Sequence, residues 1–350
     1  MSTDADITSD QQPGCLHPRE RYDLMGQEAA EQAFCDAWSS GRLHHAWLIT
    51  GPRGVGKATW AWRAARRVLG ARPDDRHGVL GSSPDDPVCQ TIEAEANPDL
   101  LLLRRPYDDK RKRWRAEITI EEARRAPEFF SKSAGQGGWR VCLVDAADDM
   151  NVNSANALLK TLEEPPLRGI LFLLAHSPGR LPATIRSRCR KLDLRPPEAG
   201  VTRDWLSAQS DLDDPSVIEA ATTLARNAPG RAMALIQSGG VSMAREVDSM
   251  IRSGTNLTDS DIRRMADQLS AKGSEARRPV FYENLQTRFK DEARSLAADG
   301  EDPTPWLKAW DEVSALVRDA DALYLDAKQT ALSAIGLIRQ ASAQVRAARR

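Results

Sequence analysis

The sequence predicts an α/β protein, with a mostly parallel sheet in the first half and helices in the second. Three observations favour this fold class. Short apolar runs lack polar alternation, helical stretches of about ten residues separate them, and no strand pattern follows Pro196. Continuous apolar strands are typical of a sheet that helices cover on both faces.

Strand and helix patterns alternate along the first half. The predicted elements are helix 28–38, strand 46–50, helix 58–69, strand 100–103, helix 120–130, strand 141–144, helix 153–164 and strand 170–175. Residues 70–87 are rich in Gly, Pro, Ser and Asp, which indicates a surface connection. Breaks in the helical half give four predicted regions: a loose tail 1–17, the α/β domain 18–196, a small helical domain 197–240 and a larger helical domain 241–350.

Composition excludes several classes of protein. The 49 Lys and Arg nearly balance 50 Asp and Glu, so no global field attracts nucleic acid or anionic lipid. No apolar run approaches the roughly 20 residues of a spanning helix, and residues 1–14 do not resemble a secretion signal. We expect a cytoplasmic protein without membrane contact.

Metal ligands are not expected. The five cysteines, Cys15, Cys35, Cys89, Cys142 and Cys189, are widely spaced without a C-x-x-C pair, so neither zinc nor disulfides are predicted. His44 and His45 are adjacent at a strand entry, where neighbouring side chains are expected on opposite faces.

A glycine loop follows the first predicted strand and precedes a helix. Its residues are Gly51, Pro52, Arg53, Gly54, Val55, Gly56, Lys57, Ala58 and Thr59, which match G-x-x-x-x-G-K. Backbone N–H groups, the helix N-terminus and the Lys57 ammonium suit a triphosphate. We predict nucleotide binding; the alternative is a loop kept only because its turn joins strand to helix.

The groups needed for hydrolysis are incomplete. Ala58 stands where a Ser or Thr hydroxyl holds Mg²⁺, and Thr59 is one residue, about 100° of helix, away. Asp145 ends the third strand and could serve the metal, but Ala146 occupies the position of a water-activating carboxylate. We therefore predict binding without efficient turnover.

Several motifs occur in an order that resembles bacterial DNA polymerase III clamp-loader subunits, an AAA+ family. They are His44-His45-Ala46-Trp47-Leu48, the glycine loop, Asn97-Pro98-Asp99-Leu100, the stretch 156–166 (NALLKTLEEPP) and Ile185-Arg186-Ser187-Arg188-Cys189. Together they cover roughly residues 17–195. The resemblance implies an AAA+ domain, a helical lid at 197–240 and a helical collar at 241–350.

The resemblance also implies roles for single residues. Arg188 would reach into the ATP site of an adjacent subunit, where a planar guanidinium stabilises charge on the transferring phosphoryl group. Arg231 would be a sensor arginine in the lid, Leu24 and Met25 would line the adenine pocket, and His176 or Ser177 would be the polar sensor. The alternatives are a surface ion pair for Arg188, a solvent-facing helix start for Arg231, core packing for Leu24 and Met25, and plain loop residues for His176 and Ser177.

The chain departs from the motor subunits of that family, gamma and tau. It lacks the hydroxyl at Ala58 and the carboxylate at Ala146, and only Cys89 lies where the motors carry four zinc-binding cysteines. The resemblance thus implies a subunit that lends an arginine to a neighbour and is itself neither a polymerase nor an active ATPase. ATP or ADP is the implied ligand, and Mg²⁺ has less support from the residues.

The implied partners are delta and gamma or tau subunits, the sliding clamp and primed DNA. Two alternatives stay open, a catalytically active motor ATPase and a nucleotide-binding scaffold outside replication. Residues 110–115 (KRKRWR) could form a nucleic-acid patch, although a solvated loop is preferred because Asp108 and Asp109 precede them. Near the end, residues 324–329 (YLDAKQ) resemble a collar motif, and Trp306, Trp310, Leu316 and Leu323 suit an intersubunit flank or an internal bundle core.

Overall fold

A computed structural model describes residues 9–12, 15–110, 113–135, 138–209, 212, 214–275, 277–323 and 325–349. The chain divides into two compact units, Met1–Met233 and Ala234–Arg350. The first unit holds the sheet. The division of the helical half into a lid at 197–240 and a collar at 241–350 stays a prediction.

The main sheet has five parallel strands in the order β2-β5-β6-β1-β7. Its strands are β1 Ala46–Thr50, β2 Leu100–Arg104, β5 Arg140–Asp145, β6 Gly169–Ala175 and β7 Arg190–Asp193, and β3 Tyr107–Asp108 pairs with β4 Arg113–Trp114 in a separate hairpin. The predicted α/β class and all four predicted strands are confirmed. Strand β7 was missed because it lies at the sheet edge and has polar, mostly exposed residues.

The helices of the sheet-bearing half follow the predicted order. They are α1 Glu28–Ser39, α2 Lys57–Val68, α3 Pro87–Glu93, α4 Ile120–Ser131, α5 Val152–Glu163 and α6 Ala183–Arg186. After the sheet come α7 Ala199–Ser207, α8 Pro215–Leu224, α9 Pro229–Gln237, α10 Gly240–Ser253, α11 Asp259–Ser270, α12 Arg277–Ala298, α13 Thr304–Leu323 and α14 Ala327–Ala348. Helix α3 was not predicted; Asp86 caps it, accepting a hydrogen bond from the Val88 N–H, and Pro87 opens its first turn.

Both faces of the sheet are covered, as continuous apolar strands require. Trp47 and Ile49 of β1 pack into one cluster with Phe34 and Trp60. Ala46 and Leu48 of the same strand join a second cluster on the opposite face. The alternation of β1 between two apolar clusters fixes the face that each of its side chains meets, and the glycine loop follows at the carboxyl end of this strand.

Part of the predicted loose tail is packed against the first unit, which corrects that expectation for residues 9–12 and 15–17. The Asp10 side chain is 1% exposed and accepts a hydrogen bond from Arg104 Nη1 at 3.0 Å. His17 Nε2 lies 3.2 Å from the same carboxylate. A buried carboxylate needs such partners, and these come from β2 and from the tail itself.

A buried ion pair holds the connection 70–87 in place. Arg63 Nε donates to Glu31 Oε1 at 2.6 Å, and both side chains are almost fully buried. Arg63 Nη2 also donates to the His77 carbonyl, and the second Glu31 oxygen accepts the Leu80 N–H. The connection therefore contributes Leu80 to the core instead of running only over the surface as expected.

The expectation for His44 and His45 was wrong. Their rings stack, with centroids 4.4 Å apart, rather than lying on opposite faces. The chain has not yet entered β1 at these residues, so the alternation of a strand does not apply. His45 Nε2 lies 3.1 Å from the Leu162 carbonyl, so this ring nitrogen contacts the backbone.

The second unit is a helical bundle with its own core. Trp306 is buried against Phe289, with ring centroids 5.4 Å apart, and Trp310 and Leu316 pack beside this core. These contacts favour the bundle-core alternative for the tryptophans; Tyr324 lies outside the described residues. Asp326 caps α14 by accepting the Gln329 N–H at 2.8 Å. Within the described ranges, no helix combines the length and apolarity that crossing a bilayer requires.

Candidate nucleotide site

The glycine loop lies between the end of β1 and the start of α2. Gly51, Gly54 and Gly56 have φ angles of +144°, +76° and +99°. An L side chain rarely adopts these angles, so the three glycines allow the tight path of the loop. The N-terminus of α2 follows directly, and the first backbone N–H groups of a helix, which lack intrahelical partners, can bind a phosphate.

A cavity of about 320 Å³ adjoins the loop. Most of the predicted nucleotide-site residues line it, namely Leu24, Met25, Arg53, Gly54, Val55, Gly56, Lys57, Ala58, Thr59 and Asp145. Gly51, Pro52, Ser177 and Arg231 are not among the residues of its wall. Leu24 lies directly over Gly56, where a Cβ would come within 2.5 Å of Leu24 Cδ1.

Lys57 is buried at the base of this cavity. Its Nζ donates to the carbonyl oxygens of Gly51 at 2.7 Å and Pro52 at 2.8 Å. Burial lowers the pKa of Lys57 to about 8, and the charges of Asp145 and Asp148 oppose that shift. The ammonium carries three donors, so one more acceptor, such as a phosphate oxygen, would complete its set.

Asp145 is the last residue of β5. Burial raises its pKa to about 7, and the nearby Asp10 carboxylate adds to the shift. Asp145 could still face a magnesium ion, but Ala58 supplies no hydroxyl to hold it. The magnesium site of a hydrolytic phosphate loop is therefore incomplete here. Across the described ranges, no cluster of His, Cys, Asp or Glu is arranged to hold a metal ion.

Asp148 ties the end of β6 to the turn after β5. Its carboxylate accepts the backbone N–H of His176 at 3.0 Å and of Ser177 at 2.8 Å. This use of Asp148 is structural. Of the two sensor candidates, only His176 lines the cavity. Burial, with the charge of Lys57, lowers the pKa of His176 to about 3, so its ring is neutral.

The first turn of α9 touches the glycine loop. The Gly230 N–H donates to the Gly54 carbonyl at 2.9 Å. The backbone nitrogen of Arg231 is so close to Gly54 that a Cβ there would lie 2.2 Å from it. Arg231 thus meets the loop through its backbone, and its sensor role stays a prediction.

Some residues of the cavity wall were not predicted. Trp205 of α7 lines the cavity, and the Arg21 guanidinium lies 5.2 Å from the centroid of its ring. Asp10 and Leu16 line it as well, although they belong to the predicted tail. No local pattern marks these residues, because each reaches the cavity through the folding of distant segments.

Arg188 lies outside this cavity, two residues beyond α6. Its side chain is 35% exposed, and its Nη2 pairs with Glu163 Oε1 at 2.8 Å. Its Nη1 donates to the Thr184 carbonyl at 2.9 Å. The ion pair that the alternative interpretation expected is therefore present, and the role of Arg188 in a neighbouring ATP site stays a prediction.

Of the basic stretch 110–115, Arg113 and Trp114 form strand β4 of the β3–β4 hairpin. Trp114 packs edge-on against Tyr107 with centroids 5.1 Å apart, so its ring has an intramolecular partner. Arg115 Nε lies 3.8 Å from Asp108. Arg111 and Lys112 lie outside the described residues. These contacts agree with the solvated-loop interpretation, and DNA contact here stays untested.

Comparison with known proteins finds a family model that matches nearly half of the chain. Residues 26–198 match the family model described as DNA polymerase III, delta subunit. The chain is 33% identical to the DNA polymerase III subunit delta' of Pseudomonas aeruginosa, over 56% of each protein. It is 34% identical to the delta' subunit of Escherichia coli strain K12, over 57% of each. The matched segment thus spans little more than half of these relatives.

Other relatives carry different names. The tau subunit of Escherichia coli is 28% identical over 92% of this chain and 44% of that protein. A solved gamma subunit-related protein of Thermotoga maritima also matches, with 17% identity, a TM-score of 0.40 and coverage of 85% of this chain and 95% of that one. Over residues 26–198, just under half of the chain, the protein is thus similar to the delta and delta' subunits of bacterial DNA polymerase III.

Proposed function

We propose that this clamp-loader-type subunit supplies Arg188 to the ATP site of a neighbouring subunit. Its own cleft would bind ATP or ADP without efficient hydrolysis. The proposed partners are delta and gamma or tau subunits in a cytoplasmic assembly that loads the sliding clamp onto primed DNA. The helical second unit would provide the collar contacts.

One contrast supports the proposal above all. A solvent-reachable guanidinium stands outside the cavity of its own chain, whereas that cavity lacks a hydroxyl at Ala58 and a carboxylate at Ala146. Arginine keeps its charge at any physiological pH and presents several N–H donors in one plane. Such a group can stabilise charge on a transferring phosphoryl group in a neighbouring subunit.

The test is a reconstituted loader that carries Arg188→Ala. An arginine finger raises kcat by a factor of about 10³–10⁵ in well-studied systems. We therefore expect ATP hydrolysis and clamp loading to be at least roughly tenfold slower in this variant. Arg186→Ala is the matched control, since Arg186 is exposed and lies two residues away. Equal rates of ATP hydrolysis and clamp loading for Arg188→Ala and Arg186→Ala would contradict the proposed role of Arg188.

A second candidate is a motor subunit, which the similarity to the Escherichia coli tau subunit over 92% of the chain favours. Nucleotide binding and ATP hydrolysis by the isolated chain distinguish the proposed function from that of a motor subunit. The proposal expects ATP or ADP binding that Lys57→Ala abolishes, with ATP hydrolysis no faster than in that variant. Hydrolysis well above the Lys57→Ala level would favour the motor.

A further inference from the structure

Two acceptors from two different helices hold the Arg188 side chain. Glu163, the last residue of α5, binds Nη2, and the Thr184 carbonyl of α6 binds Nη1. We propose that Glu163 is a positioning residue that fixes the orientation of Arg188 toward the neighbouring subunit. The inference rests on the proposed role of Arg188.

The geometry of a guanidinium gives this pair of contacts its effect. The group is planar and carries five N–H donors, so two acceptors on its two terminal nitrogens fix the whole plane. The remaining N–H groups are then available for an acceptor outside the chain. Since the side chain is 35% exposed, that acceptor can approach from solvent.

The base of Arg188 is already anchored. Its backbone N–H donates to the Ile185 carbonyl at 3.1 Å, and the next residue, Cys189, packs against the core beneath the sheet. With the backbone fixed, the conformational freedom that remains is rotation about the bonds of the Arg188 side chain. Glu163 is the charged group that limits this freedom.

Helix stability does not explain a carboxylate at Glu163. The C-terminus of a helix carries partial negative charge, so a Glu in the last turn is electrostatically unfavourable there. Its neighbour Glu164 is placed just as unfavourably, and among the described residues no ion pair to Glu164 is found. Of these two glutamates, Glu163 alone offsets its unfavourable position with an ion pair, which it makes to Arg188.

The experiment uses the reconstituted loader with Glu163→Ala, Glu163→Gln and Glu164→Ala, each compared with Arg188→Ala. An exposed pair contributes modestly, so we expect Glu163→Ala to lower kcat for DNA-stimulated ATP hydrolysis about two- to fivefold, with KM for ATP unchanged. Glu163→Gln keeps an acceptor oxygen and should fall between it and the unmodified chain. Glu164→Ala should behave as the unmodified chain, and gel filtration should show the same assembly for all variants.

Failure of this inference can be told from failure of the proposed function. If Arg188→Ala has no effect, the proposed role of the arginine is wrong. If Arg188→Ala slows the reaction but Glu163→Ala matches Glu164→Ala, only the positioning role is wrong. In an Arg188→Ala background, removing the Glu163 carboxylate should change nothing further; an additional loss there would also contradict positioning through Arg188.

Discussion

The N–H of Gly230 donates a hydrogen bond to the carbonyl oxygen of Gly54, with a nitrogen–oxygen distance of 2.9 Å. Gly54 belongs to the glycine loop, and Gly230 lies in the first turn of α9. Because the two backbones touch, a side chain has no room at Gly54 and is crowded at Gly230, where a Cβ would lie 3.2 Å from Gly54 Cα.

Gly54→Ala tests this contact. The new Cβ would meet the Arg231 backbone nitrogen at 2.2 Å, in a residue with φ of +76°. We expect the free energy of unfolding of the first unit, measured by urea titration, to fall by about 2–4 kcal/mol. Gly41→Ala is the control, because Gly41 has φ of +68° and nothing within 4 Å of its Cβ. The control should lose only the backbone part, about 1 kcal/mol, and equal losses would contradict the close contact.

Asp145→Asn should change the dependence of stability on pH. The pKa of Asp145 is raised from 3.8 to about 7, so the fold favours the protonated carboxyl. That contribution is complete below about pH 4 and is lost as the pH rises through about 7. Asparagine cannot ionise, so the variant should gain stability relative to the unmodified chain between pH 5 and pH 8. Urea midpoints across this range measure the difference, and a constant difference would contradict the buried carboxyl.

Removing one member of the buried Glu31–Arg63 pair should be costly. Glu31→Gln leaves the Arg63 charge buried without its partner, which costs about 3–5 kcal/mol in comparable pairs. Glu128→Gln is the control, since the Glu128–Lys132 pair is exposed and should change stability by less than about 1 kcal/mol. A double variant, Glu31→Leu with Arg63→Leu, should lose less than Glu31→Gln. Thermal and urea unfolding provide both comparisons.

Trp205→Ala should weaken nucleotide binding if a base stacks on this ring. Stacking of a base on an aromatic side chain contributes about 1–3 kcal/mol, so we expect a loss of affinity for ADP of at least about fivefold. Energy transfer from tryptophan to a fluorescently labelled ADP measures it directly. Trp38→Phe is the control, because Trp38 packs on Trp139 and does not line the cavity. Unchanged affinity in Trp205→Ala would place the base elsewhere.

Local patterns account for what was predicted of the first unit. The four apolar strands and the glycine loop follow from neighbouring residues, and the helix ends 39, 68, 131 and 163 lie within one residue of prediction. The absence of a hydroxyl at Ala58 and of a carboxylate at Ala146 can be seen by position alone. Strand β7 was missed because an exposed edge strand needs no apolar run.

The sequence by itself therefore determined the α/β class, the phosphate loop and the incomplete set of hydrolytic groups. Only the tertiary structure decided that Asp10 is buried beside Arg104, that Trp205 joins the cavity wall and that Glu163 holds Arg188. The physical reason is distance along the chain. Periodicity reports contacts between near neighbours, whereas burial, pKa shifts and ion pairs depend on residues that folding brings together from remote segments.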